Sequence, residues 1–144
     1  MKDFARMWTS GRRSLRGGKM GLIIKKVKIA GAKGSATVEA LFDMGASACL
    51  IKRSLAEKVA TITTIPKKWR FTLGDGQGTL QTNEFVQLVI TIKKTDFFHP
   101  AVVVDRLADD LIIGADFLQR WKIKLDPEAE EVIIDKKALR LLLA

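Results

Sequence analysis

The segment ALFDMGASA, residues 40–48, decides the fold of this chain, because it places one acidic side chain between an apolar strand and a turn of small residues. Apolar residues precede Asp43, and Gly45 follows it with only Met44 between them. Since glycine lets the backbone turn tightly, we expect the Asp43 carboxyl group at a strand end, close to apolar walls. Taken alone, the Asp-x-Gly pattern also fits an ordinary Asx turn that closes a strand.

On both sides of this segment, short alternating apolar runs separated by Gly, Pro, Asp and Lys predict a mostly β domain. Two short helices are predicted, one at residues 54–60 with its cap at or near Ser54, and one at residues 115–121 with its cap near Asp116. The predicted strands are residues 22–30, 35–42, 48–51, 68–73, 79–92, 97–104, 111–114, 123–125 and 131–135.

The net charge of +9 is concentrated at one end of the chain. Residues 1–33 hold ten Lys or Arg and one Asp, whereas residues 34–144 hold fifteen basic and fifteen acidic side chains. We therefore divide the chain into a flexible basic tail, residues 1–19, and a folded domain, residues 20–144. A start of the natural protein at Met20, or a transit peptide, are alternatives for the tail.

The composition excludes several classes of protein. Cys49 is the only cysteine, so neither an internal disulfide nor a zinc cluster of cysteines is available. No apolar stretch approaches the length that spans a bilayer. We therefore expect a cytoplasmic protein that needs no membrane, metal or cofactor.

Several other side chains draw attention, but the sequence favours structural roles for them. We expect Cys49 to be a buried inert thiol, and His99, the only histidine, to lie at the surface or at a strand edge. The apolar segment 138–143 is unusual for an exposed end, and the resemblance described below implies that it lies at a subunit interface. We expect core packing for four aromatic residues, Trp69, Phe71, Phe117 and Trp121. The spacing of four aspartates matches no calcium-binding loop; they are Asp105, Asp109, Asp110 and Asp116.

Three landmarks occur in an order that resembles the retroviral-type, or retropepsin-like, aspartic proteases and their cellular relatives. They are the turn around Asp43, a Gly-rich stretch at 74–78, and LIIGADFL at 111–118. Residues 123–134 are also similar to the tail hairpin of the cellular members. The resemblance covers residues 20–135 and implies a small closed β-barrel of the retropepsin type, with one or two short helices, that forms a homodimer.

The resemblance also implies a role for individual residues. Asp43 would be the catalytic residue of an aspartic endopeptidase, and GDGQG, residues 74–78, would be the flap that closes over a peptide or unfolded protein substrate. As a phosphate cradle this stretch fails, because it lacks the G-x-G-x-x-G spacing. The implied substrate-binding residues are Gly45, Ala46, Ser47, Gly74, Asp75, Gly76, Gln77, Gly78 and Ile113, and the implied supporting residues are Met44, Ile112 and Gly114.

The chemistry of such a site requires two copies of the chain. Two carboxyl groups about 3 Å apart share one proton, so that the ionised one activates a water and the protonated one donates a hydrogen bond to the substrate carbonyl. The chain offers a single Asp-x-Gly, at Asp43. We therefore expect Asp43 of each subunit to face its mate across a two-fold axis, and a monomer to be inert.

One residue departs from the family pattern. These proteases usually carry Thr or Ser after the aspartate, and its hydroxyl group bonds across the dimer, but this chain has Met44, whose thioether donates nothing. A catalytically weak or silent module for dimerisation or protein binding is therefore an alternative function. Nucleic-acid association is a second alternative, which we expect only through residues 1–19.

Overall fold

The computed structural model describes residues 22–72 and 79–143 of the chain. Within these ranges nine strands and three short helices follow one another along the sequence. Their bounds are β1 (Leu22–Ala30), β2 (Ser35–Asp43), β3 (Leu50–Lys52), α1 (Arg53–Val59), β4 (Thr63–Thr72), β5 (Thr79–Ile92), β6 (Thr95–Val104), β7 (Leu111–Ile113), α2 (Ala115–Arg120), β8 (Ile123–Asp126), β9 (Glu131–Ile134) and α3 (Lys136–Leu143).

Six of these strands close into a barrel. The large sheet has the order β1-β2-β7-β3-β6-β5-β4, and β1 also pairs with β5, so that only β4 stays outside the closed ring. The β2–β7 and β3–β6 pairs are parallel, and the other pairs of this sheet are antiparallel. Strands β8 and β9 form a separate hairpin. The prediction of a mostly β, closed barrel is confirmed.

The long barrel strands β1, β5 and β6 bury roughly every second side chain, as their sequence alternation predicts. Strand β6 is the clearest case, because Phe98 is 67% exposed while its neighbours on both sides are buried. The inward side chains of β6 are Phe97, His99, Ala101 and Val103. Since His99 is only 5% exposed, the expectation that it lies at the surface or at a strand edge is wrong.

The buried apolar residues form two clusters. The main core fills the barrel and contains the large side chains Phe42, Phe97 and Phe117. The small cluster, as we call it below, lies on the other face of β2, β3 and β7. It consists of Leu41, Ala46, Leu50, Val104, Leu107 and Ile112.

The helices differ from the prediction at their caps and in their number. Lys52 precedes α1 and Gly114 precedes α2, and neither α1 nor α2 has a side-chain cap, so neither Ser54 nor Asp116 is the N-cap residue. A third helix, α3, was not predicted from the sequence. None of the helices in the described residues has the length and apolar character that crossing a bilayer requires.

Helix α3 begins after Asp135, which the sequence places at the end of a strand. The Asp135 carboxylate accepts hydrogen bonds from the backbone amides of Lys137 and Ala138 at 3.0 and 3.1 Å, which is the pattern of an N-cap. Leu139 of this helix is buried in the main core. At least part of the apolar end of the chain is therefore covered within one subunit.

Two further segments depart from the sequence expectation. Strand β4 starts at Thr63 and runs through Pro66, with a register shift between Thr64 and Trp69. Trp69 is 57% exposed and does not pack in the core as expected. Core packing is confirmed for Phe117 and Trp121, which are both buried.

Candidate active site

Asp43 lies at the end of β2, where the chain leaves the barrel wall in a tight turn. Its side chain is fully buried, and its Oδ1 accepts a hydrogen bond of 2.8 Å from the backbone amide of Gly45. The Asp43 carbonyl accepts a second bond, from the amide of Ala46 at 3.2 Å. The carboxyl group is therefore held in one orientation by the turn that follows it, and Met44 and Gly45 are exposed beside it.

The turn rests on the residue that follows β7. A Cβ atom added to Gly114 would lie 2.5 Å from the carbonyl oxygen of Ala48 and 2.8 Å from that of Ala46. Only glycine fits at these distances, so the backbone of Gly114 packs directly against the turn. The next residue, Ala115, donates a hydrogen bond of 2.7 Å to the Ala46 carbonyl. Gly114 therefore lies directly against the turn, and the supporting role that the resemblance implies for it stays a prediction.

The parallel pairing of β2 with β7 divides their side chains between two faces. Leu41 is paired with Ile112, and both lie in the small cluster together with Ala46. Phe42 is paired with Ile113, and both are buried in the main core. Ile113 therefore lies on the face of β7 opposite the small cluster, and the substrate contact that the resemblance implies for it stays a prediction. Ile112, predicted as a supporting residue, lies on the face of Ala46.

The predicted substrate-binding residues of the turn are divided by exposure. Gly45 and Ser47 are exposed, whereas Ala46 is buried in the small cluster and forms the floor beneath them. The predicted flap tip lies outside the described residues, so its roles stay predictions for Gly74, Asp75, Gly76, Gln77 and Gly78.

The described base of this hairpin, however, lies next to the turn. Strands β4 and β5 are paired up to Thr72 and Thr79, and Leu80 packs against the small cluster that contains Ala46. An ion cluster also fixes the base, since Arg53 at the start of α1 binds both Glu84 on β5 and Asp105 after β6. These two carboxylates raise the pKa of the Arg53 guanidinium above its ordinary value.

The sequence itself decides the family. Residues 26–120, more than half of the chain, match the family described as gag-polyprotein putative aspartyl protease. The chain belongs to this family. We call it the gag-type aspartyl protease family below. Among curated protein sequences, none matches the chain.

The gag-type fold of this chain is also found in solved structures. The retroviral protease-like domain of Ddi1 from Leishmania major has a TM-score of 0.54 at 18% identity, with 79% of this chain and 87% of that domain covered. The EIAV protease complexed with the inhibitor HBY-793 has a TM-score of 0.50 at 21% identity, with 71% and 89% covered. At these identities the likeness is one of fold.

Sequence reasoning missed a group of polar side chains on the inner side of this gag-type turn. Asp116, in the first turn of α2, accepts hydrogen bonds from the Cys49 thiol at 3.5 Å and from the Phe117 amide at 2.7 Å. His99 Nε2 lies 3.0 Å from the second carboxylate oxygen. Trp121 Nε1 donates to His99 Nδ1 at 3.3 Å. The alternation of β6, which turns His99 inward on the same face as Phe97, is the sequence signal that could have indicated this group.

The donor atoms of Cys49, His99 and Asp116 all lie within 4.8 Å of one another, as in a metal site. The hydrogen bonds do not fit this use. Because Trp121 donates to Nδ1, the proton of the neutral imidazole lies on Nε2, the nitrogen that would have to bind the metal. Burial and the neighbouring Asp116 carboxylate raise the pKa of the Cys49 thiol. The group is a hydrogen-bond chain.

Proposed function

We propose that this protein is an aspartic endopeptidase that acts as a homodimer on extended peptide segments. The observation that carries the proposal is the Asp43 carboxyl group, which is buried at a strand end and oriented by the Gly45 amide at 2.8 Å. The Gly114 backbone, packed against the turn, supports this orientation from below. The membership of the gag-type aspartyl protease family adds support at the level of the domain.

The proposed reaction needs a second carboxyl group, which a second copy of the chain supplies. Two Asp43 side chains that face each other share one proton, because both cannot be ionised at close range. The pair then titrates with two apparent pKa values that belong to the pair and not to either residue. The ionised carboxylate removes a proton from a water, whose oxygen attacks the peptide carbonyl carbon.

The protonated carboxyl group gives its proton to the carbonyl oxygen, which forms a tetrahedral diol. Collapse of the diol breaks the C–N bond as the amide nitrogen receives a proton from the acid–base pair, and a carboxylic acid and an amine leave. In this proposal the hairpin tip at 74–78 covers the substrate and excludes water from the pair.

The proposed preference for apolar substrate side chains follows from the apolar residues around the site. Leu41, Ala46 and Ile112 lie in one cluster at the base of the turn, and Leu80 of the covering hairpin packs against it. Such walls favour apolar substrate side chains beside the scissile bond, since they offer few polar partners to a charged one.

The test is the cleavage of an unstructured protein across pH by the wild type and by Asp43→Asn. We expect wild-type cleavage with a bell-shaped pH profile, blocked by an inhibitor that mimics the tetrahedral intermediate. Asp43→Asn should remain folded and dimeric and lose activity by at least about a thousandfold, the effect of removing a residue that acts in chemistry. Asp96→Asn, which alters an exposed aspartate of β6, is the matched control and should cleave normally. Full activity of Asp43→Asn would contradict the proposal.

One observation favours a second candidate, a silent module for dimerisation or protein binding. Met44 is 44% exposed at the position where the family resemblance implies a hydroxyl group. A thioether cannot donate the hydrogen bond that would hold two turns together. Dimerisation without cleavage at any pH would assign this second function.

A further inference from the structure

Four side chains from three parts of the fold form one hydrogen-bond chain. Trp121 Nε1 donates to His99 Nδ1, His99 Nε2 reaches Asp116 Oδ2, and the Cys49 thiol reaches Asp116 Oδ1. Cys49 ends the segment that begins at Asp43, His99 belongs to β6, and Asp116 and Trp121 belong to α2 and its end. Cys49, His99 and Trp121 are buried, while the Asp116 side chain is 34% exposed.

The donor and the acceptor of every hydrogen bond in this hydrogen-bond chain are fixed. An indole N–H can only donate, so His99 Nδ1 must accept and the imidazole proton lies on Nε2. That proton points at the Asp116 carboxylate, which only accepts. The Cys49 thiol, whose pKa is raised by burial and by Asp116, also keeps its proton and donates to the same carboxylate. Each donor faces an acceptor, and reversing one bond puts two donors face to face.

Two members of this hydrogen-bond chain, Cys49 and Asp116, connect it to the turn that carries Asp43. Cys49 is the last residue before β3, and its carbonyl accepts a hydrogen bond of 2.9 Å from the Val102 amide. Asp116 follows Ala115, whose amide binds the Ala46 carbonyl. The contact between Cys49 and Asp116 therefore closes a loop of bonds around the floor of the turn.

We propose that Asp116 is a positioning residue for Asp43, which it holds through Cys49 and through the α2 start, and that His99 and Trp121 fix its orientation. This inference rests on the proposed function for its effect on catalysis, whereas its effect on the turn is independent of catalysis. Aromatic packing restrains the same group, since the His99 and Phe117 rings meet edge to face with centroids 5.0 Å apart.

Asp116→Asn tests the proposal because it keeps the shape of the side chain and replaces one acceptor by an NH₂ donor. Because the Phe117 amide and the Cys49 thiol both donate to Oδ1, the Asn keeps its oxygen at that position and turns its NH₂ group toward His99 Nε2. The NH₂ group meets the Nε2–H there, so the imidazole proton moves to Nδ1, where it meets the Trp121 N–H. Trp121→Phe removes that N–H and the conflict with it. We therefore expect Asp116→Asn to be less harmful in the Trp121→Phe background than in the wild type, in a double-mutant cycle.

The single cysteine supplies a readout that does not depend on activity. Cys49 is fully buried, so a thiol reagent reaches it only when the end of the turn opens. We expect Asp116→Asn to raise the labelling rate about tenfold, the factor for one lost hydrogen bond to a charged group. In the Trp121→Phe background the same change should raise it less than about threefold. Amide hydrogen exchange at Ala115 should increase in parallel.

Catalysis supplies the second readout. We expect Asp116→Asn to lower kcat about tenfold, because it displaces the Asp43 carboxyl group. KM should change little, because the proposed substrate walls at the small cluster are unchanged. A change in KM alone, or labelling and exchange rates that equal those of the wild type, would overturn the proposal. Effects of Asp116→Asn and Trp121→Phe that simply add would overturn the role of His99 and Trp121.

Failure of this inference and failure of the proposed function give different results. If the wild type cleaves no substrate, the proposed function fails, and thiol labelling with amide exchange still decides whether Asp116 holds the turn. If Asp116→Asn does not fold, Cys49→Ala and Cys49→Ser take its place. Faster Ala115 exchange in Cys49→Ala than in Cys49→Ser, which keeps a donor, supports the proposal, and equal rates overturn it.

Discussion

The Ala115 amide donates a hydrogen bond of 2.7 Å to the carbonyl of Ala46, and this bond ties helix α2 to the turn that carries Asp43. The two residues lie far apart in the sequence and meet because β2 and β7 run parallel and side by side. A parallel pair places the two strand ends at the same edge of the sheet. The orientation of the Asp43 carboxyl group therefore depends on residues of the second half of the chain.

Gly114→Ala should destabilise the protein and disturb the turn. The new Cβ would lie 2.5 Å from the Ala48 carbonyl oxygen, a distance that forces the backbone apart. We expect a loss of about 1–3 kcal/mol in the free energy of unfolding, as for other overpacked sites, measured by urea denaturation. Cleavage activity, where it is measured, should fall as well.

Gly34→Ala is the control for this change. A Cβ at Gly34 would meet only the Lys58 carbonyl oxygen, at 3.8 Å, which is an ordinary contact. Its free energy of unfolding should stay within about 0.5 kcal/mol of the wild type. Similar losses for Gly34→Ala and Gly114→Ala would show that close packing at the turn is not the cause.

Met44→Thr should strengthen the proposed dimer. Met44 is exposed next to Asp43, and a hydroxyl group there can donate and accept between two facing turns, which a thioether cannot. Since one hydrogen bond contributes about 0.5–1.5 kcal/mol, the dissociation constant should fall about two- to tenfold. Analytical ultracentrifugation measures it. Met44→Val, which matches threonine in shape and lacks the hydroxyl group, is the control, and equal constants for both variants would refute this prediction.

Cys49→Ser should change how stability depends on alkaline pH. Burial and the Asp116 carboxylate raise the pKa of the Cys49 thiol, so above the ordinary cysteine pKa of about 8.5 the unfolded chain releases this proton while the folded chain keeps it. The wild-type free energy of unfolding therefore falls as pH rises, by up to about 1.4 kcal/mol per pH unit. The serine variant lacks this contribution, so urea denaturation at pH 7 and pH 10 should show a smaller decline. If the wild type and Cys49→Ser lose the same amount of stability between pH 7 and pH 10, the raised pKa of the Cys49 thiol is disproved.

Lys94→Gly should stabilise the protein. Lys93 and Lys94 connect β5 to β6 with φ angles of 50° and 68°, a left-handed conformation that favours glycine in two-residue hairpin turns. Replacing only Lys94 preserves the hydrogen bond of 2.6 Å from Lys93 Nζ to the Val132 carbonyl. We expect a gain of about 0.5–1 kcal/mol in thermal or urea denaturation. Lys26→Gly, within strand β1, should have the opposite effect.

Much of the fold could be predicted from the sequence because its strands alternate clearly. Strand β1 and strand β5 have the predicted bounds, and β2 differs by one residue. Strand β4 was predicted too short, since Pro66 indicates a linker and the strand tolerates it only at a register shift outside the closed ring. Helix α3 was missed because its apolar side chains suggested an interface, and its cap, Asp135, was assigned to a strand.

Residues of the candidate site could be predicted where a sequence motif identifies them. They could not be predicted where contacts between distant segments determine their positions. Gly114 lies against the turn that carries Asp43, as the family resemblance implies. Ile112 and Ile113 lie on opposite faces of β7, and the sequence could not show which face each presents because this depends on the pairing of β7 with β2. His99 was expected at the surface or at a strand edge because its neighbours in the sequence do not reveal the Asp116 acceptor and the Trp121 donor that satisfy its ring nitrogens in the core.

The unequal lengths of the strand pairs have a consequence for the order of folding. The β1–β2 and β5–β6 hairpins are held by nine and eight residue pairs between neighbouring segments, and they can form early. Strands β3 and β7, which flank the Asp43 turn, have only two or three pairs with each neighbour, and none of these is local. Loop closure must be complete before such short pairings are stable. We therefore expect the Asp43 turn to be assembled last, so that a nascent or partly folded chain would lack the oriented Asp43 carboxyl group.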